Sequence, residues 1–372
     1  MIIGYDAKRA FHNRSGLGNY SRHVITRMAA MYPEHQYLLY TPREREPDQF
    51  TLPGNTRMVG PSGPVDRRMS GFWRTFRLAG DLERDRVALY HGLSNEIPVG
   101  IHRKEIPAVV TIHDLIFMRL PHLYKPIDRY LYRKKVCYAV KHAQRVIAVS
   151  EQTGQDLMEL TGCPEKKIRV IYQGCHERFY ESVPRSKKEA VKKTYDLPGS
   201  FLLYVGTIEE RKNLLKVVRA LHEGRLNIPL VVAGKKTGYY HTVEAYILEH
   251  NMHRVHFLSQ VPDSDLPALY QAAHAFIYPS SYEGFGIPVL EAINSGLPVI
   301  TSSGGCLEES AGGGGVFINP EDTGAMIHAI RQVTEDESLR KKLIAAGREH
   351  ALTFREETTM PQLHALYKEL LP

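Results

Sequence analysis

The chain has 372 residues, 43% of them hydrophobic and 24% charged, which suits two or three packed domains and excludes a disordered chain, a collagenous fibre or a coiled coil. Its net charge of +7 is unevenly placed: residues 1–180 carry 28 Lys/Arg against 18 Asp/Glu, and residues 181–372 carry 20 against 23. The first half therefore attracts anions, which fits nucleic acid, an anionic membrane surface or phosphorylated small molecules alike.

No apolar run approaches the roughly 18 residues of a membrane span. Met1–Asp6 passes straight into strand-like sequence without a leader pattern, and the four cysteines show no C-x-x-C spacing. The expectation is a cytoplasmic protein with neither a zinc site nor a disulfide framework.

In chain order, β-branched runs predict strands over 2–6, 36–41, 87–91, 107–112, 145–149 and 168–172. Helical patterns fall between them near 19–31, 72–84, 127–143 and 151–160. Over 127–143, Tyr132, Val136, Ala139, Val140 and Ala143 make one apolar stripe. Ser150 is placed to cap the helix that follows it. A polar, Lys-rich stretch, 181–199, reads as a linker between a first domain, 1–180, and a second, 200–354. The rhythm then restarts, with strands over 201–206, 229–234, 254–258, 274–278 and 297–301, and a helix over 214–221. Gly312–Gly315 reads as a flexible turn, and 355–372 as a helix crossing back to the first domain. Such βαβα alternation implies an α/β fold of two doubly wound, parallel-sheet domains with ligand loops at the carboxyl ends of the strands.

The most specific constellation is Ser281-Tyr282-Glu283-Gly284-Phe285-Gly286-Ile287-Pro288-Val289-Leu290-Glu291-Ala292. Two glutamates stand eight apart across a Gly-aromatic-Gly turn, and Pro288 sits in the first turn of a helix. Glycines let the backbone approach a ligand, and a helix N-terminus favours phosphate. Glu291 lies two turns in, where a carboxylate can accept from a ribose diol. Gly206-Thr207-Ile208-Glu209-Glu210-Arg211-Lys212-Asn213 ends a strand in glycine and puts a cationic pair before a helix. Arg211 can fork onto phosphate oxygens while Lys212 supplies a point charge. Ser15-Gly16-Leu17-Gly18-Asn19-Tyr20 is a short Gly-x-Gly loop after the first strand, and His113-Asp114 closes the run Val110-Thr111-Ile112. The other 17 histidines show no metal-ligand spacing.

Together these segments resemble the retaining glycosyltransferases of family 4, whose architecture is GT-B: two Rossmann-like domains facing across a cleft. The E-G-F-G-I-P-V-L-E run is similar to that family's nucleotide-sugar signature. The resemblance implies a catalytic group of His113, Glu283, Arg211 and Lys212, with His113 beside the transferred sugar. It implies donor binding by Gly16, Gly18, Gly206, Thr207, Arg211, Lys212, Val261, Glu283, Gly284, Phe285, Gly286 and Glu291. Many members carry an Arg where this chain has Thr207, and Arg211 is the residue placed to replace it. Leu258–Pro262 matches the backbone that reads the base, and Gly234–Gly238 a loop near the donor.

The expected partners are a nucleotide sugar and a glycan or lipid-linked acceptor, with no cofactor and no metal, since the GT-B fold usually needs none. The opening segment looks most like bacterial mannosyltransferases of surface-polysaccharide synthesis, which makes GDP-mannose the first donor expected and a UDP-hexose the second. Residues 129–145 hold six Lys/Arg and no acid; with Arg67, Arg68, Trp73, Arg74, Phe76 and Arg77 they form an expected basic, apolar-studded face for anionic lipid at the inner membrane surface. Other readings stay open at this point. A nucleotide-sugar epimerase would convert its substrate without an acceptor. A nucleic-acid-binding protein would use the basic half, although no RNP motif, zinc finger or recognition-helix unit is visible. A nicotinamide-dependent dehydrogenase should show G-x-G-x-x-G after a strand, and this chain does not.

Overall fold

The computed structural model describes residues 1–13, 16–43 and 50–371; Ser15 of the Gly-x-Gly segment lies outside them. The chain folds as two units, Met1–Gln173 with Arg355–Pro372, and Gly174–Phe354.

The first unit holds a seven-stranded sheet. Its strands are β1 (Ile2–Asp6), β2 (Gln36–Tyr40), β3 (Thr56–Val59), β4 (Leu89–Gly92), β5 (Ala108–Ile112), β6 (Arg145–Ala148) and β7 (Ile168–Val170). They lie in the order β3-β2-β1-β4-β5-β6-β7, all pairs parallel. The second unit holds β8 (Leu202–Val205), β9 (Leu230–Ala233), β10 (Val255–Leu258), β11 (Ala275–Tyr278), β12 (Val299–Ser302) and β13 (Gly315–Ile318). Their order is β10-β9-β8-β11-β12-β13, again parallel throughout. Each sheet is thus doubly wound, reversing its strand order once, between β1 and β4 and between β8 and β11.

The central strands are apolar on both sides because helices cover both faces. β5 and β11 are buried at every position. In the first unit one core layer packs Trp73, Leu82, Val110, Val136 and Leu157. The opposite layer packs Tyr5, Val24, Tyr37 and Ile147, and is completed by Met360, Leu363 and Tyr367 of the helix Glu356–Glu369. Ser150 accepts from the Thr153 amide at 3.0 Å, capping the helix Glu151–Thr161.

Several expectations are corrected. The stretch 181–199 is no linker: Arg185–Thr194 is a helix of the second unit, whose Val191 is buried, and Lys187 reaches the Ser264 carbonyl at 2.7 Å. Its many lysines lie on the solvated face of an amphipathic helix, which is what made it read as a spacer. The unit boundary falls instead between Gln173 and Gly174.

Gly312–Gly315 is no flexible turn either. A Cβ on Gly313 would meet Ala346 at 2.9 Å and one on Gly314 would meet the Gly347 backbone at 2.7 Å. The glycines serve close packing against the helix Glu337–Ala351, and the last of them, Gly315, opens β13. β3 and β13 escaped the sequence reading because each is a four-residue edge strand, mostly half-buried. The helical stretch expected over 72–84 is interrupted by a π-helical turn, Trp73–Arg77. This turns two members of the expected basic face inward. Trp73 is fully buried with Nε1 donating to Asp81 at 2.6 Å, and the buried Arg74 pairs with Asp6 and with Glu96 at 2.6 Å. Tyr132, expected in the core stripe of its helix, is exposed, while Val136, Ala139 and Val140 are buried.

Candidate functional site

In the second unit the chain leaves β8 toward β9 on one side and leaves β11 toward β12 on the other, so the loops after β8 and β11 part at the switch point. Gly206 and the cationic pair follow β8; Glu283 and Gly286 follow β11. Two sequence segments about 70 residues apart therefore meet. Asn213 ties them. It sits in the left-handed region at φ +56°, is buried, and donates through Nδ2 to the Pro279 carbonyl and the Ser281 hydroxyl, both at 2.7 Å. The Ser281 amide donates to the Arg211 carbonyl at 2.8 Å.

Arg211 lies under this crossing. Its Nη1 pairs with Glu283 Oε1 at 2.7 Å and donates to the Tyr282 carbonyl and the Ser280 hydroxyl, and its Nη2 meets Glu209 Oε1 at 2.6 Å. Glu283 Oε1 also accepts from the Tyr278 hydroxyl at 2.8 Å. Burial pushes the Glu283 carboxyl up, but Arg211 and Lys212 outweigh it and hold it below the usual carboxylate range. The carboxylate is therefore ionised and already holds two donors on one oxygen.

Lys212 is less committed. Its Nζ lies 3.9 Å from Glu209 Oε1 and 5.5 Å from the centre of the Tyr278 ring. Gly206 gives that ammonium room, since a Cβ there would come within 3.2 Å of Lys212 Nζ and 3.3 Å of the Tyr278 ring. Gly234, after β9, is needed for a similar reason: a Cβ would overlap the Gly206 carbonyl. Thr207 and Gly284 are half-buried in the two loops.

Gly286 ends the loop at φ +125°, and a Cβ there would stand 2.7 Å from Ser310 Oγ. Phe285 is buried edge-on to Phe354 at 5.5 Å, so its side chain anchors the loop and only its backbone is left for a ligand. One turn into the helix Ile287–Asn294, Glu291 Oε2 accepts from the Tyr270 hydroxyl at 2.9 Å. Burial raises the Glu291 carboxyl to about 7, with Tyr270 and Arg178 opposing and Asp263 adding to the rise. Asp263 belongs to the loop after β10 that carries Val261, which brings that loop's charge to bear on Glu291.

In the first unit His113 follows β5 and is buried. Its Nε2 lies 2.9 Å from the Leu93 carbonyl, so Nε2 carries the proton and Nδ1 the lone pair. Burial lowers its pKa to about 4, which leaves a neutral ring. Tyr20 stands edge-on to the ring at 4.7 Å. A buried chain orders this tyrosine: Tyr20 OH to Thr111 Oγ1 at 3.0 Å, Thr111 to His91 Nε2 at 2.8 Å, and His91 Nδ1 to Tyr367 OH at 2.6 Å. Asp114 accepts from the Ile116 amide at 3.1 Å. Gly16 and Gly18 lie in the first turn of the helix Gly16–Met31; a Cβ on Gly18 would overlap the Asn13 carbonyl, whereas one on Gly16 meets open space.

The structure thus gathers Gly206, Arg211, Lys212 and Glu283 at one crossing, places Glu291 on the helix beyond it, and puts Gly18, Tyr20 and His113 in the first unit. Sequence reading passed over Glu209, the Tyr278 hydroxyl and Asn213. Of these only Asn213 carried a local signal, as a residue type tolerant of the left-handed region between a strand and a helix.

Two family models cover most of the chain: "Glycosyltransferase Family 4" over residues 14–178 and "Glycosyl transferases group 1" over 186–350. O-antigen chain mannosyltransferase B of Escherichia coli is 34% identical over 76% of this chain and 74% of its own length. The serotype-specific mannosyltransferase WbdA of Escherichia coli is 28% identical over 72% of this chain, which spans only 34% of that longer protein. Among solved structures, sucrose-phosphate synthase from Thermosynechococcus elongatus superposes with a TM-score of 0.77 over 100% of this chain and 99% of its own, at 21% identity.

Proposed function

The chain belongs to the glycosyltransferases of family 4 and group 1, with two doubly wound sheets of the GT-B type, and from that premise we propose that it is a retaining enzyme transferring mannose from GDP-mannose to a glycan or lipid-linked acceptor in surface-polysaccharide synthesis. The observation that carries the reading is the crossing of the β8 and β11 loops, which sets an uncommitted lysine beside an ionised, neutralised glutamate. The choice of mannose is supported by the mannosyltransferase relatives.

Departure of a nucleoside diphosphate leaves an oxocarbenium-like sugar and develops negative charge on the phosphates. Lys212 supplies the counter-charge, preorganised against the Tyr278 ring. Arg211 is a positioning residue: it is spent largely on Glu283, Glu209 and the Tyr282 carbonyl, and it holds the Glu283 carboxylate for sugar hydroxyls. With Arg211 and Tyr278 both on Oε1, Glu283 is a poor nucleophile. This favours front-face attack, with the leaving phosphate taking the acceptor proton, over a double displacement through a glycosyl-enzyme. Neutral His113 accepts from a sugar hydroxyl through Nδ1. No step of this scheme calls for a metal or cofactor.

The test combines ligand binding with stereochemistry. Thermal unfolding with GDP, UDP and ADP at matched excess should show a selective rise with GDP, about 2.7 kcal/mol of added stability at 100 times the dissociation constant. NMR of slow donor hydrolysis should show the α-anomer of mannose first. A selective UDP rise would replace the donor, and the β-anomer first would end the retaining assignment. In the same assay His113→Ala should lose at least tenfold in rate; wild-type rates would remove its role.

Glu291 gives a proton-linked expectation. With its carboxyl near pH 7 in the free protein, ribose hydroxyls donating to it favour the ionised form. GDP affinity should therefore rise from pH 6 to pH 8, and binding at pH 7 should release part of a proton, read by calorimetry in buffers of different ionisation enthalpy. Glu291→Gln should bind more weakly and release none. The folded protein itself loses stability through this group as pH rises from about 4.5 to about 7, because over that window the native state holds the proton and the unfolded chain does not.

The first unit offers an acceptor-side docking face. Phe72, Phe76, Ile127, Tyr130 and Leu131 are exposed among Arg67, Arg77, Arg129 and Arg133, and Glu96 joins the two segments by pairing with both Arg74 and Lys135. Among the described residues no helix is long and apolar enough to cross a membrane, and a basic face with protruding apolar groups suits an anionic bilayer surface. Flotation with phosphatidylglycerol vesicles should carry the protein upward at low salt. Ile127→Glu with Leu131→Glu should abolish this, and equal flotation with zwitterionic vesicles would count against the charge argument.

A further inference from the structure

The first unit contains a side-chain cluster that plays no part in the proposed reaction. His35, in the turn before β2, and His364, on the helix Glu356–Glu369, stand 329 positions apart, yet their Nε2 atoms lie 3.2 Å from each other, and both rings are buried. Glu34 Oε1 lies 3.6 Å from His35 Nε2. One ligand atom from each of the three falls within 4.8 Å of the others, and among the described residues no other group of three such side chains converges in this way.

We propose that Glu34, His35 and His364 form a binding site for a single divalent transition-metal ion of the zinc class, which clips the C-terminal helix onto the first unit. The separations approach those of a coordination polyhedron. Bonds of about 2.0–2.1 Å to nitrogen or oxygen in a tetrahedron put neighbouring ligand atoms about 3.3 Å apart; the two edges at His35 Nε2 are 3.2 and 3.6 Å, and the third lies within 4.8 Å. Two imidazoles and one carboxylate suit zinc and its neighbours, not calcium or magnesium. A fourth position is left for water on the exposed Glu34 side.

The surroundings hold the ligands without occupying them. Tyr32 stacks on the His364 ring with centroids 3.6 Å apart, which fixes its plane. His35 Nδ1 is buried with no hydrogen-bond partner, so moving the ring proton from Nε2 to Nδ1 breaks no bond there and frees the Nε2 lone pair. Lys368, one turn beyond His364, is close enough to act on both rings and opposes a cation, while Glu34 supplies the compensating negative charge. Other close histidine pairs differ in kind. His102–His142 and His222–His250 are stacked face to face at 4.1 and 4.4 Å, and among the described residues no carboxylate joins either pair within ligating reach.

The test uses the tag-free, full-length protein stripped with a chelator. Titration with Zn2+ against a chromophoric competitor should show one tight equivalent, and one equivalent of Co2+ should give the visible bands of tetrahedral coordination. Zinc should also raise the unfolding temperature. Glu34→Gln, at an exposed position where folding is not at stake, should weaken binding at least tenfold, and His364→Gln at least a hundredfold. Should His364→Gln fail to fold, the Glu34→Gln titration and the Co2+ spectrum decide alone. Absence of a stoichiometric site, an octahedral Co2+ spectrum, or Zn2+ affinity unchanged in Glu34→Gln would overturn the assignment and leave the pair as a His–His hydrogen bond.

Discussion

Lys212→Ala is expected to lower the rate of sugar transfer by about 10^2- to 10^3-fold, the range seen when one preorganised charge-stabilising group is removed from a developing anion. The ammonium has no close ion pair to lose: it stands 3.9 Å from Glu209 and 5.5 Å from the Tyr278 ring, and its charge acts on Glu283 at longer range. Such interactions are worth about 0.5–2 kcal/mol each, the upper end where the cation is desolvated. The unfolding temperature should consequently move little while turnover collapses. Donor affinity should fall less than turnover, because the negative charge on the leaving group grows toward the transition state. Lys212→Arg should not restore the rate in full, since a planar fork does not fit the space that Gly206 leaves for a point charge. Single-turnover transfer measured beside thermal unfolding separates the two effects. A rate within tenfold of wild type in a folded Lys212→Ala variant would end the assignment.

Glu283→Ala should cost both activity and stability. It strips the largely shielded Arg211 of its principal carboxylate and leaves the Tyr278 hydroxyl without an acceptor. Breaking a buried pair from one side costs about 3–5 kcal/mol. Glu283→Gln keeps an oxygen for Tyr278 and Arg211, so it should cost less stability while still losing about 10^2 in transfer. The acid limb distinguishes charge from shape. The native Glu283 carboxyl lies below its unfolded value, so its contribution is fully present above about pH 4.5 and is lost as pH falls through the lower native pKa. Wild type should lose this increment on acidification, and Glu283→Gln should not. Identical acid unfolding curves, or wild-type transfer by Glu283→Gln, would remove the charge from the mechanism.

These two residues show why the site was partly legible before folding was considered. Glu283 and Lys212 each sit in a local pattern, a glycine-bearing loop between a buried strand and a helix, whose spacing survives in the sequence. Arg211 sits in the same kind of pattern and was read from it as a phosphate ligand. In the structure its guanidinium is turned onto Glu283 and Glu209, because β8 and β11 are neighbours across the switch point. No local spacing encodes that neighbour. Trp73 and Arg74 are the same case: they belong to a basic, aromatic stretch, yet a π turn rotates them into the core to meet Asp81, Asp6 and Glu96.

By itself the sequence determined the alternation of strand and helix, the two-sheet α/β class, the loops of the candidate site and the family. These follow from hydrophobic period and from glycine, proline and charge at short range, which act before any long-range contact forms. Only the tertiary structure decided where the units divide, that 185–194 is a packed helix, that Glu291 is pushed to about 7 beside Tyr270, and that His35 and His364 face each other. Each of these depends on strand order and on the return of the C-terminal helix, which join residues tens to hundreds of positions apart. Burial and the pairing of charges act through distance in space, and no pattern confined to neighbouring residues records that distance.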